Sequence, residues 1–138
     1  MHAGTVLVVE DDDAIRKLLV DFLHENSDVE VEGARDAVEA LHLMSSKAYT
    51  VVVLDLMMPL MSGIDFLTSL EALTWDPSVK SLDQPPRVIV ITAAPQSEVP
   101  SDTIEHRFAR FVRGVFRKPL DMGRFGETVE RELVIGDR

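Results

Sequence analysis

Two hydrophobic patterns alternate along the chain. Runs of β-branched and aliphatic residues without in-and-out alternation stand at 5-TVLVV-9, 50-TVVVL-54 and 87-RVIVI-91, with a weaker run at 29-VEV-31 and a very short one at 115-VF-116. Continuous apolar character over a few residues is what a strand buried on both faces of a parallel sheet requires. Between these runs, apolar positions recur at helical spacing. Within 13–25 they are Ile15, Leu18, Leu19, Phe22 and Leu23, with Asp13 as the expected N-cap; within 36–46 they are Val38, Leu41 and Met44. A third helix is predicted over 64–73 after Gly63. A fourth, over 101–113, opens with the capping-box spacing "DTIE" and carries Ile104, Phe108, Phe111 and Val112 on one face. A last helix over about 121–135 is weakened by Gly123 and Gly126 but carries Val129, Leu133 and Val134.

Five strand-helix units in this order predict right-handed crossovers and a doubly wound α/β fold, a five-stranded parallel sheet with helices on both faces. In such sheets the functional edge lies at the carboxyl ends of the strands. The segments 74–86 and 93–100 contain prolines that forbid helix or central strand, and are predicted to be loops.

A chain of 138 residues, 46% hydrophobic, is expected to form a single domain over residues 1–138 with its core at about 4–135. The absence of cysteine excludes disulfides, thiolate nucleophiles and cysteine metal sites. No apolar run reaches the roughly 18–20 residues needed to cross a bilayer, and "MHAGTVLVVEDDD" lacks a basic n-region, so no membrane contact and a cytoplasmic location are expected. The net charge of −10 is uneven: residues 1–75 carry 14 acidic and 4 basic groups, residues 76–138 carry 10 of each. The acidic half argues against direct binding of nucleic acid. The basic run 106-HRFARFVRGVFRK-118 keeps helical spacing, which predicts core phenylalanines and an exposed arginine face for protein contact.

Asp55 is the anomaly in this pattern, a carboxylate in the apolar run 51-VVVLDLMMPLMSG-63. An ionised acid in apolar surroundings is costly without partners. The residues just past the strand ends supply candidates: Glu10 and Asp11 after the first, Thr92 after the fourth, Lys118 after the fifth. Two carboxylates about 4 Å apart repel by about 4 kcal/mol at an effective dielectric near 20, so three clustered acids call for a cation. Oxygen ligands without His or Cys favour Mg²⁺. The histidines, at 2, 24, 42 and 106, have no ligand spacing and are expected on the surface or on helix faces. With its charge compensated, Asp55 stays ionised and is suited to attack phosphorus, with Lys118 and the Thr92 hydroxyl facing the phosphoryl oxygens.

At these residues the chain resembles the receiver domain of bacterial two-component response regulators, the CheY-like family. The segments "VLVVEDDDAIRKLL", "VVVLDLMMPLMSGIDFL", "VIVITAA" and "RKPL" stand in the family's order over nearly the whole length. The resemblance implies a flavodoxin-like sheet in strand order 2-1-3-4-5. It implies Asp55 as phosphoacceptor, Asp11 as direct Mg²⁺ ligand, Glu10 acting through water and Met57 offering its backbone carbonyl. Thr92 matches the switch hydroxyl and Lys118 the site ammonium; Pro59 and Gly63 match the turn after the acceptor, and a cis Lys118–Pro119 bond is implied. The implied partners are a histidine kinase or histidine phosphotransfer protein as donor and a downstream protein or fused effector through residues of about 101–135, with homodimerisation open. The implied role is regulatory rather than enzymatic, with the domain assisting its own phosphorylation and dephosphorylation.

Two positions depart from the family pattern. Its switch aromatic three residues before the lysine is replaced by Val115, with Phe116 predicted to face the other way, and only Gly114 remains of the Gly-Ala pair before the fifth strand. These departures keep open a pseudo-receiver, the same fold acting as a phosphorylation-independent binding or dimerisation module. A phosphohydrolase with an aspartyl intermediate is disfavoured, since Met57 stands where a second acid is needed. Nucleotide-binding glycine motifs are absent after the first strand.

Overall fold

Strands β1 (Thr5–Val9), β3 (Val51–Asp55) and β4 (Arg87–Thr92) form the middle of the sheet, flanked by β2 (Glu30–Ala34) and β5 (Val112–Arg117) at its edges, in the computed structural model, which describes residues 4–136. The order is β2-β1-β3-β4-β5, all parallel, as the pattern and the resemblance predict. Val6 to Val9, Val51 to Leu54 and Val88 to Ile91 are each 0% exposed, so the unbroken apolar runs reflect burial on both faces.

Helices α1 (Asp13–Asn26) and α5 (Met122–Gly136) cover one face, where Leu19, Leu23, Phe125, Val129 and Leu133 pack on Val6, Val8, Val53 and Ile91. Helices α2 (Ala37–Met44), α3 (Gly63–Thr74) and α4 (Ser101–Arg107) cover the other, packing Met44, Phe66, Leu70 and Ile104 on Leu7, Val52, Leu54 and Val90. Burial of large side chains such as Phe66, Phe111 and Phe125 contributes roughly 2–3 kcal/mol each.

The second strand is displaced from 29–31 to Glu30–Ala34 because an edge strand needs no continuous apolar run; Glu30 is exposed and Glu32 half-buried. Gly33 in this strand gives room to Arg16, since a Cβ there would lie 3.1 Å from Arg16 Cδ. The cap of α1 is Asp12, not Asp13: its side chain accepts from the Ile15 N–H at 3.0 Å. Three residues predicted for core stripes lie outward, Leu18 at 59% exposure, Val38 at 56% and Val134 at 40%, while the missed Phe125 is fully buried. The loop 74–86 contains a short 3-10 helix at Lys80–Leu82.

The largest revision concerns residues 101–117. Helix α4 stops at Arg107, and the apolar residues beyond it are core by other means: Phe108 and Phe111 are buried in the turn, and Val112 begins β5. The strand extends from 112 to 117 instead of 115 to 116, with Arg113 inserted as a bulge between the Val88–Val112 and Ile89–Gly114 pairs. The capping box does not form; Pro100 occupies the cap without a side-chain hydrogen bond. Val115 packs into the α2-α3-α4 side and Phe116 into the α1-α5 side, where its ring meets Phe125 edge-on at 5.9 Å. Arg107, Arg110 and Arg113 are exposed, as are His24, His42 and His106; His2 lies outside the described residues. Among the described residues no helix is long and apolar enough to cross a membrane.

Candidate functional site

The carboxyl ends of β1 and β3 sit side by side because those strands are register neighbours, Val9 opposite Leu54. Glu10 and Asp11 leave β1 there and Asp55 ends β3. One carboxylate oxygen from each of Glu10, Asp11 and Asp55 lies within 4.8 Å of the others. Glu10 is 0% and Asp55 2% exposed, whereas Asp11 faces solvent, so the cluster has a closed floor and an open mouth.

Lys118, one residue past β5, closes the side of this cluster. Its Nζ donates to Glu10 Oε1 at 2.6 Å and to Asp55 Oδ2 at 3.5 Å. The other Asp55 oxygen, Oδ1, accepts from the Met57 N–H at 3.0 Å. Burial pushes the Glu10 carboxyl above the usual carboxylate range, and the neighbouring Asp55 adds to this against the pull of Lys118. Partial desolvation raises Asp11 as well, with Glu10 as the second cause. Burial lowers the Lys118 ammonium, but its hydrogen bond to Glu10 and the charges of Asp55 and Glu10 outweigh this and hold it above the ordinary amine range. Three carboxylates against one ammonium leave excess negative charge, and the donors are hard oxygens, a set that fits Mg²⁺.

The loop after Asp55 is built to hold this geometry. Leu56 N–H donates to Ile91 O at 3.1 Å, and Gly63 N–H returns to Leu56 O at 3.0 Å. A Cβ on Gly63 would meet Leu56 Cα at 2.6 Å, so glycine alone permits this closure. Leu60, on the same loop beyond Pro59, has a φ of 70° and is 90% exposed. The Ser62 side chain then accepts from Asp65 N–H at 3.2 Å and starts α3.

Thr92 ends β4 fully buried, and its Oγ1 accepts from the Ala94 N–H at 3.1 Å. Its carbonyl accepts from the Lys118 N–H at 2.8 Å, which ties it to the ammonium-bearing residue. The Lys118–Pro119 peptide is cis. Two arginines at this edge were not singled out by sequence reasoning. Arg16 Nη1 donates to Glu10 O at 2.9 Å and fixes the backbone of the acid pair. Arg117 donates into the loop after Thr92. Only strand alternation, which places 117 on the same side as 115, bore on Arg117 in the sequence.

The family model described as the response regulator receiver domain matches residues 6–130. Uncharacterized response regulatory proteins of Shewanella oneidensis and Vibrio cholerae are similar, at 29% and 30% identity over 92% and 94% of this chain. The chain spans about half the length of these relatives, 48% of each. The crystal structure of a response regulator receiver protein from Pseudomonas putida is 25% identical with a TM-score of 0.72, over 95% of this chain and 98% of that one.

Proposed function

The chain belongs to the response regulator receiver domain family, and from that premise we propose that it is a phosphoryl-accepting signalling switch with Asp55 as acceptor. The observation that carries this reading is the convergence of Glu10, Asp11 and Asp55 oxygens within 4.8 Å, with the Lys118 ammonium on Glu10 and Asp55.

Asp55 attacks phosphorus of a phosphohistidine on a kinase or phosphotransfer protein, or of a small acyl phosphate. A bond forms between phosphorus and an Asp55 oxygen, and the bond to the donor breaks with its electron pair leaving on the donor. Glu10, Asp11, Asp55 and the Met57 carbonyl are the groups that would hold Mg²⁺, Glu10 through water. When bound, the ion offsets the charge of the acids and of the transferring phosphoryl oxygens. Lys118 turns its ammonium toward a phosphoryl oxygen, and Thr92 gives up its bond from Ala94 to donate to another. The closed floor around Glu10 and Asp55 excludes bulk water and holds the nucleophile in place. The readout is assigned to residues of about 101–135, the surface next to Thr92 and Lys118, which would contact a downstream protein or a fused effector domain.

The test is labelling by acetyl phosphate with MgCl₂. Wild-type protein incorporates phosphate and loses the label with a chelator, and Asp55→Asn incorporates none. Equal labelling of wild type and Asp55→Asn overturns the assignment.

A further inference from the structure

Arg117, immediately before Lys118, commits its guanidinium to a single loop. Nη1 donates to Ala94 O at 2.9 Å; Nη2 lies 2.5 Å from Gln96 Oε1, 2.5 Å from Val99 O and 2.9 Å from Ser101 Oγ. These acceptors run from the second residue after β4 to the first residue of α4, so one side chain grips the whole connection. Gln96 Oε1 also accepts from the Ser101 N–H at 3.3 Å and hydroxyl at 2.9 Å. It thereby satisfies a donor at the start of α4 that Pro100 leaves uncapped.

Ala94 is where this grip meets the candidate site. Its carbonyl accepts from Arg117, and its N–H donates to Thr92 Oγ1. Ala94 is 6% exposed, so the peptide groups on either side of it have little freedom to turn independently. The Thr92 hydroxyl cannot change partner without freeing the Ala94 N–H, and Ala94 is pinned from its other side by Arg117. Val115, the place of the family's switch aromatic, packs into the core with an aliphatic side chain that has no polar group to offer. Coupling through a ring at 115 is absent in this chain, and a charged fork two residues later spans the same loop.

We propose that Arg117 is the positioning residue that links Asp55 to α4, holding the β4–α4 loop in the arrangement that keeps Thr92 bonded to Ala94 and yielding when Thr92 turns to a phosphoryl group. The proposal rests on the reading of Asp55 as phosphoacceptor. Because the grip favours the arrangement in which Thr92 is engaged elsewhere, it opposes phosphoryl binding, and its removal shifts the population toward the binding arrangement. Transmission to α4 is weakened at the same time, since the Arg117 bonds that span the loop are gone and the tie to the start of the helix falls to Gln96 and its bonds from Ser101.

The experiment uses the whole chain with MgCl₂ and beryllofluoride as the phosphoryl probe. Affinity is measured by calorimetry and amide exchange by mass spectrometry over residues 93–107. In wild type the probe alters exchange across the loop and α4. In Arg117→Ala the loop exchanges fast with or without the probe, the α4 response is smaller than in wild type, and the probe binds about fivefold or more tighter, within the usual range of such couplings. Gln96→Ala, at an exposed acceptor, changes affinity in the same direction without altering β5 and serves if Arg117→Ala does not fold. Wild-type affinity together with a wild-type α4 response in these variants overturns the role of Arg117 while leaving Asp55 intact. Failure of wild type itself to bind the probe overturns the phosphoacceptor reading, and this proposal with it.

Discussion

Lys118 is paired first with Glu10: its Nζ lies 2.6 Å from Glu10 Oε1, against 3.5 Å from Asp55 Oδ2. The ammonium thus sits on the buried acid at the floor of the site and only leans toward Asp55. In the proposed switch it is within reach of a phosphoryl group on Asp55 without crossing the pocket.

The pairing leaves a definite pH dependence. Glu10 is raised chiefly by burial and then by Asp55, and Asp11 chiefly by desolvation and then by Glu10. An acid whose folded pKa exceeds its unfolded value binds more protons in the native state. It therefore lowers stability above the folded pKa, and the cost disappears as pH falls to the ordinary carboxylate range. A divalent cation competes for the same oxygens. MgCl₂ is predicted to raise the melting temperature clearly near neutral pH and much less near about pH 4, in the ordinary carboxylate range, as thermal scans at both pH values would show. An equal effect at both would contradict the clustering of ionised acids.

Asp55→Asn removes one of the mutually repelling charges. Its expected effect without Mg²⁺ is stabilisation, since after burial the neighbouring Asp55 is the next cause that holds the Glu10 carboxyl up. Its melting temperature should no longer respond to MgCl₂ as the wild type does. Urea denaturation measures the first and thermal scans with and without the ion measure the second.

Gly63→Ala tests the loop that holds Asp55. The added methyl would stand 2.6 Å from Leu56 Cα and 3.0 Å from Asp55 O, backbone atoms that cannot step aside. The expected cost is about 1–3 kcal/mol, as for other overpacked sites, with reduced labelling of Asp55 because Leu56 is displaced. A fully stable, fully labelled variant would show that the closure is unimportant.

Leu60→Gly acts in the opposite direction. Leu60 holds a φ of 70° while 90% exposed, so its side chain buries little and the backbone conformation carries a cost of about 1–2 kcal/mol for a residue with a Cβ. The greater freedom of glycine in the unfolded chain offsets part of this, leaving a predicted gain of up to about 1 kcal/mol in urea denaturation.

Which parts of the molecule were legible in the sequence follows from where burial is complete. The three central strands are apolar on both faces and were found at nearly their true bounds. The edge strands carry half the hydrophobic signal; β2 was displaced, and the start of β5, Val112 and Arg113, was absorbed into a helix because Phe108, Phe111 and Val112 happen to keep helical spacing. A turn and a bulged strand bury those residues instead. At the candidate site, Glu10, Asp11, Asp55 and Lys118 were legible because a polar residue ending an apolar strand marks the sheet's carboxyl edge, and the structure brings them together. Arg117 was not, since its partners are mainly backbone carbonyls and a loop glutamine whose positions no spacing rule encodes.

The most direct measurement of the central claim is reductive trapping. The protein is treated with acetyl phosphate and MgCl₂, then with sodium borohydride, which converts an aspartyl phosphate to homoserine, and its peptides are mapped by mass spectrometry. Homoserine at position 55, absent when Mg²⁺ is chelated, is the predicted result. Unmodified Asp55 under conditions that phosphorylate another receiver domain, or homoserine at a different aspartate, would contradict it.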